Sequence, residues 1–278
     1  KTWDKLDQAA QSALAQRVAD QWSDFTFMGL KQQSLGGIFR QVAVFDLRGV
    51  GFVLVPGATD TLLGWDRSVV SLNQARREVW RIAVAEIEGD SELSFEEHMD
   101  FWLRPSRRVS IPSLLVEAAP RPLPDLGNPY EQDEEDVRAL VAADGCRLPT
   151  ADEWEWLCRG GSSTLFRWGD GWPEGLPLGD GLFDLHRARN AFGLELLADP
   201  YQVECVQEMD CFVGGDGGSA LCGDRPGPEV WVSFALAYRY PINQVDEYAL
   251  PEFLSLLPGQ SLQYFAAKCV DSVNSSLF

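Results

Sequence analysis

Between Arg104 and Pro129 the chain carries six prolines: Pro105, Pro112, Pro120, Pro122, Pro124 and Pro129. Each removes a backbone donor and locks φ, so this span reads as an irregular crossing or a linker, not as a long helix or a central strand. A second span, Gly160 to Gly218, is glycine-rich, aperiodic and studded with tryptophan, and it reads as long ordered loops. Regular structure is therefore expected elsewhere. From Asp4 to Trp22 the apolar positions Leu6, Ala9, Ala10, Ala13, Leu14, Val18 and Trp22 recur three or four apart, the stripe of an amphipathic helix. After Gly36-Gly37, the runs Ile38 to Leu47 and Phe52 to Val55 flank the turn-like Arg48-Gly49-Val50-Gly51 and predict a hairpin. Glu78 to Ile87 is a further strand candidate, and its two-sided apolar run suits a sheet covered on both faces.

With 278 residues, 45% of them hydrophobic, the chain can bury a substantial core. Its 23 Lys and Arg face 42 Asp and Glu, a formal charge of -19 and a pI near 4.4. That balance supplies no basic surface for phosphate backbones, so nucleic acid and anionic membrane are not expected as partners. The acidity is concentrated beyond residue 110, where 27 of the acids stand against 10 basic residues. No apolar stretch has the length of a signal peptide or a membrane span, which leads to the expectation of a cytoplasmic protein with reduced thiols.

Chemistry is constrained by what is scarce. His98 and His186 are the only two histidines, so a three-histidine metal site cannot be built. The six cysteines, Cys146, Cys158, Cys205, Cys211, Cys222 and Cys269, contain no C-x-x-C. Cys205 and Cys211 read as small buried hydrophobes, with a disulfide or a thiolate pair as the competing reading. His186 reads as a structural loop residue, with general base beside Asp184 as the competing role. The four acids between Glu131 and Glu135 read as a solvated first helical turn, facing the positive end of the helix dipole.

The most telling stretch is Arg147-Leu148-Pro149-Thr150-Ala151-Asp152-Glu153-Trp154-Glu155-Trp156. Thr150 and Glu153 form a T-x-x-E capping box, predicting a short helix that Gly160-Gly161 ends, with Trp154, Leu157 and Cys158 turned to a core. Three more blocks follow a fixed order around it. They are Phe52 to Gly57 with Gly64 further on, Asn190-Ala191-Phe192-Gly193-Leu194, and Gly217-Gly218-Ser219 followed by Tyr238-Arg239.

Together these blocks resemble the formylglycine-generating enzyme family, also called sulfatase-modifying factors, over roughly residues 45 to 240. The resemblance implies an α+β fold of the C-type-lectin-like kind, with little regular secondary structure and long packed loops. It divides the chain into a helix and lead-in strand over 1–44, the family-like domain over 45–240, and a C-terminal extension over 241–278 that is expected to be helical. In the oxidase branch of the family, two cysteines hold copper(I), an ion suited to soft thiolates. Cys222 matches the first of these, whereas the second falls on Ala235. The insertion Gly223 to Val230, which carries Asp224 and Glu229, remodels the loop between them. The iron-dependent sulfoxide synthases related to the family require a histidine triad that two histidines cannot supply.

The same resemblance places a calcium-binding element at Ala198 to Cys205, where Asp199 and Glu204 are hard oxygen donors but the family's Asn is missing. Cofactor expectations are thus none, with calcium as the alternative. The chain is expected to be a catalytically degenerate, protein-binding member of the family. Degenerate bacterial members include proteins resembling cytoplasmic immunity factors, and acidity would match a basic toxin as partner. Binding residues are expected at Trp231 and Trp172, as aromatic anchors, together with Tyr238, Arg239, Asp224 and Glu229. Two readings compete with it: an oxidase pairing Cys222 with Cys205, Cys211 or Cys269, and a small-ligand or glycan sensor on a lectin-like scaffold.

Overall fold

The computed structural model describes residues 3–65, 94–122, 139, 141–143, 145–170, 185, 188–196, 203–208, 211–215, 232–241, 262–264 and 267–269. It is a mixed α+β fold. Helix α1, Gln8–Gln21, starts where Asp7 accepts a hydrogen bond from the Ala10 N–H at 2.8 Å, and buries Leu14, Ala15, Val18 and Ala19. It packs on two long antiparallel strands, β1 (Phe25–Leu35) and β2 (Ile38–Leu47), joined through Gly36-Gly37. The expected hairpin is β2 with β3 (Val50–Val55), closed by Arg48 and Gly49. β1 was not foreseen, because Phe25 to Leu35 mixes apolar and polar residues without clean alternation.

Strand β6, Leu114–Glu117, pairs with β3 on one side and with β12 (Ala267–Cys269) on the other, giving a five-stranded sheet in the order β1-β2-β3-β6-β12. This overturns the reading of Arg104 to Pro129 as unable to hold a central strand. The four residues fit between Pro112 and Pro120, and all four are buried. Prolines that bracket a strand leave its ladder intact; only those within it remove a donor. Residues 262–264 and 267–269 also form strands, β11 and β12, where the extension was expected to be helical. Glu78 to Ile87 and Glu131 to Glu135 lie outside the described residues.

Both faces of the sheet are covered at its centre, along β3, β6 and the second half of β2. Alternate residues Ala43, Phe45 and Leu47 with Phe52 and Leu54 join α1 in one apolar cluster, and Val42, Val53, Val55, Leu114 and Val116 join a second. The second cluster is closed by helix α3, Ala151–Arg159, through Ala151, Trp154, Leu157 and Cys158. A full side chain of this kind contributes about 1.5–3 kcal/mol of burial, which is why period-two apolar alternation appears doubled in β2 and β3.

The β3–β6 ladder continues into a second pair of strands, β4 (Ala58–Leu63) and β5 (Arg107–Ile111). The two ladders meet at a bend made by Pro56-Gly57 and Pro112-Ser113, where the Gly57 N–H donates to Ser113 Oγ at 3.1 Å. A Cβ at Gly57 would lie 2.4 Å from the Ile111 carbonyl oxygen, so the bend closes only with glycine there. Helix α2, Phe95–Trp102, precedes β5 and carries a capping box of Ser94 and Glu97. Among the described residues no helix is long and apolar enough to cross a membrane. The remaining strands are two-residue pieces, β7 (Arg121–Pro122), β8 (Val203–Glu204), β9 (Cys211–Phe212) and β10 (Tyr240–Pro241).

Candidate functional site

Helix α3 is the hub from which the site is built. Its capping box forms as expected: Thr150 Oγ1 accepts from the Glu153 N–H at 3.1 Å and the Glu153 carboxylate accepts from the Thr150 N–H at 2.8 Å. Glu153 also takes a fork from Arg147 at 2.6 and 2.7 Å. The helix stops at Gly160, whose φ of 60° is the left-handed cap. There Asn190, 1% exposed, donates from Nδ2 to the carbonyls of Leu157 at 2.6 Å and Cys158 at 3.2 Å. Its Oδ1 accepts from Phe192 N–H at 3.0 Å and Leu194 N–H at 3.2 Å. One amide thus satisfies the end of a helix and a loop, which is a physical reason for the N-x-F-G-L spacing.

On its other side α3 grips the bent ribbon. The Glu155 carboxylate, 1% exposed, accepts from the Gly64 N–H at 2.5 Å, from Arg107 at 2.8 Å, and from Arg159 at 2.7 and 3.1 Å. Asp152 accepts from Arg107 at 2.6 and 2.9 Å, and Arg104 pairs with it at 2.9 Å. Burial works against the charge of Arg107, but Glu155 and Asp152 outweigh it and raise its pKa above the ordinary arginine value. The Arg104 N–H in turn donates to the Ala237 carbonyl at 2.8 Å, tying the network to the segment that holds Ala235 and Tyr238.

That segment contains no thiol. Ala235 is fully buried, its N–H donating to the Val232 carbonyl at 2.9 Å, and it lies between Phe234 and Leu236, which are also buried. Tyr238, expected at a binding surface, is instead 3% exposed, its ring stacked on Trp102 at 6.1 Å. Arg239 is half-buried and donates its backbone N–H to the Trp102 carbonyl at 2.9 Å. Trp231, Trp172, Cys222, Asp224, Glu229 and Asp199 lie outside the described residues, as does His186.

Glu204 is buried, 2% exposed. Its carboxylate accepts from the indole N–H of Trp154 and stands within electrostatic reach of the buried Arg167 guanidinium. Arg167 itself donates to the carbonyls of Leu196 and Ala188. Calcium needs six to eight oxygens, and among the described residues no cluster of three or more His, Cys, Asp or Glu side chains could hold a metal ion. Asp199, the other expected calcium donor, lies outside the described residues.

The described free cysteines, Cys146, Cys158 and Cys205, are all buried. Burial pushes Cys158 well above the ordinary thiol value, with Arg167 opposing, and pushes Cys205 up to about 12. Cys205 behaves as the small hydrophobe the sequence suggested. It belongs to the cluster under α1, whereas Leu236, beside Ala235, belongs to the cluster under α3.

Compared with protein-family models and with curated proteins, the chain matches none. The resemblance to formylglycine-generating enzymes therefore rests on the motifs themselves. Sequence reasoning named Glu155, Asn190 and Phe192 as parts of motifs without giving them tasks, and it passed over Arg40, Arg107 and Ser113 entirely. No spacing rule links Arg107 to Glu155, because their partnership is made by a ribbon folding back on a helix 48 positions later.

Proposed function

We propose that this chain is a non-catalytic, protein-binding relative of the formylglycine-generating enzymes, built on their C-type-lectin-like fold, and that its partner is a basic protein such as a neutralised toxin. The observation that carries the reading is Ala235, a fully buried methyl at the position where the resemblance calls for a copper ligand. One thiolate at Cys222 cannot make the linear two-sulfur site that copper(I) chemistry of this kind uses. Cys205, one of the candidate replacements, is a buried thiol within the apolar cluster under α1. The formal charge of -19 supports a basic partner, since opposite charge raises the association rate and orients the encounter.

The test has two arms on one purified sample. Anaerobic titration with copper(I) against a chelating competitor is expected to show no two-sulfur site in the X-ray absorption spectrum. A partner captured from the native lysate is expected to be basic and stoichiometric, to associate more slowly as salt rises, and to bind the Cys222→Ser variant equally well. Two-sulfur copper together with thiol oxidase turnover that Cys222→Ser abolishes would overturn the reading.

A further inference from the structure

A groove of about 840 Å³ opens where the ribbon bends over the end of α3, and it shares no residue with the Ala235–Arg239 segment. Its volume falls in the range of about 300–1,000 Å³ typical of small-molecule sites. One wall is aromatic. Trp156 is half-buried, with its indole N–H donated to the Pro56 carbonyl at 3.1 Å and its ring against Phe192 at 5.5 Å. With the N–H already used, what Trp156 offers a ligand is ring carbon.

The end of the groove is polar but electrically balanced. Arg40 lies over the Phe192 ring, 4.5 Å from its centroid, and forks onto Asp4 at 2.8 and 2.9 Å. Its Nη1 donates to the Gly160 carbonyl at 3.2 Å. The Arg40 side chain is 14% exposed and that of Asp4 is 52% exposed, so the groove meets carboxylate oxygens held rigid by a largely covered guanidinium. At the mouth, Asp60 is paired with Arg108 at 2.9 Å. The ribbon adds the hydroxyl-bearing residues Thr59 and Thr61.

This combination selects a ligand class by exclusion. A cation gains little, because both carboxylates already have guanidinium partners, and an anion meets carboxylate oxygens first. A purely apolar ligand would strip water from those acids and hydroxyls without replacing their hydrogen bonds. A ligand with one flat C–H face and a rim of hydroxyls satisfies both walls. We propose that the groove binds a neutral carbohydrate, with a pyranose ring laid on Trp156 and its hydroxyls bonded by Asp4 and the ribbon threonines. This site needs no protein partner and stands or falls independently of the function proposed above.

The full chain is titrated with cellobiose, maltose and N,N′-diacetylchitobiose, read by tryptophan fluorescence and by the indole N–H resonance of Trp156. At least one disaccharide is expected to saturate below about 10 mM and to move that resonance. Thr59→Trp, a substitution at an exposed position that fills the groove, is expected to weaken binding at least about tenfold. Trp156→Leu, checked for folding by thermal melting, is expected to do the same by removing the flat face. Three outcomes overturn the proposal: no saturation by any of the three, unchanged affinity in folded Thr59→Trp, or displacement of the Trp156 resonance by trilysine with none by the sugars.

Discussion

The α3 hub and the Ala235 segment lie in contact, yet they are held together by different forces. Around α3 the side chains with a hydrogen-bonding task perform it: Thr150 and Glu153 cap, Asn190 closes, and Glu155 collects two guanidiniums and a backbone N–H. At Ala235 the backbone makes a turn, the Ala235 N–H on the Val232 carbonyl, and the side chain is a fully buried methyl. One region is thus held by side-chain hydrogen bonds and ion pairs, and the other by apolar burial and its own backbone turn.

That contrast is broken most directly at Glu155. Glu155→Ala leaves Arg107 and Arg159 facing a buried vacancy, and the expected loss is about 4 kcal/mol of unfolding free energy, read from a denaturant midpoint at constant slope. An unchanged midpoint would mean that the hub is ornamental. Asn190→Ala leaves two helix-terminal carbonyls and two loop N–H groups without their partner, and about 3 kcal/mol is expected to be lost. In the other region Ala235→Gly removes one buried methyl, for which about 1 kcal/mol is expected, and a loss as large as that of Asn190→Ala would erase the contrast.

The buried thiols sharpen the comparison through pH. Cys205 holds its proton up to about 12 in the fold and has an ordinary value of 9.0, and Cys158 is raised in the same sense. The unfolded chain therefore releases these protons first. Stability should be full below about pH 9 and fall above it, by about 1.4 kcal/mol per pH unit for each such thiol, as far as the folded-state value. Denaturation at pH 8 and pH 10 under reducing conditions measures the slope, and Cys205→Ala should remove one thiol's share. A flat profile would mean that these cysteines are not sealed from water.

The smallest expected effect lies far from both regions. Arg48 sits in the turn between β2 and β3 with φ of 53°, a conformation that asparagine tolerates better. Arg48→Asn should gain about 0.5 kcal/mol, since its ion pair with Asp24 joins two exposed side chains and contributes little. A loss of stability would show that this surface pair matters more than the backbone does.

Elements whose cause is local were legible in the sequence. The α1 stripe, the β2–β3 hairpin, the capping box and the Gly160 stop each depend on residues within a few positions of one another. β1 and β6 were not legible. β1 owes its existence to pairing with β2, and β6 is four residues between prolines whose strand character comes from neighbours at both edges. Within the extension expected to be helical, the described residues 262–264 and 267–269 are strands for the same reason, since β11 and β12 are recruited by distant strands. Tyr238, expected at a binding surface with Arg239, is covered in part by Trp102, which stands 136 positions earlier in the chain.

The sequence by itself determined the helix starts and stops, the shortage of histidine and the alanine at 235, because these follow from residue identity and short-range geometry, while the α+β class was implied only by the motif resemblance. Tertiary structure alone decided that Glu155 joins α3 to the ribbon, that Glu204 is spent on an indole, and that Trp156, Phe192, Arg40 and Asp4 enclose one groove. Those partners stand tens of positions apart, and no short-range rule brings them within hydrogen-bonding or stacking distance. The chain had to close its sheet and bend its ribbon before their chemistry could meet.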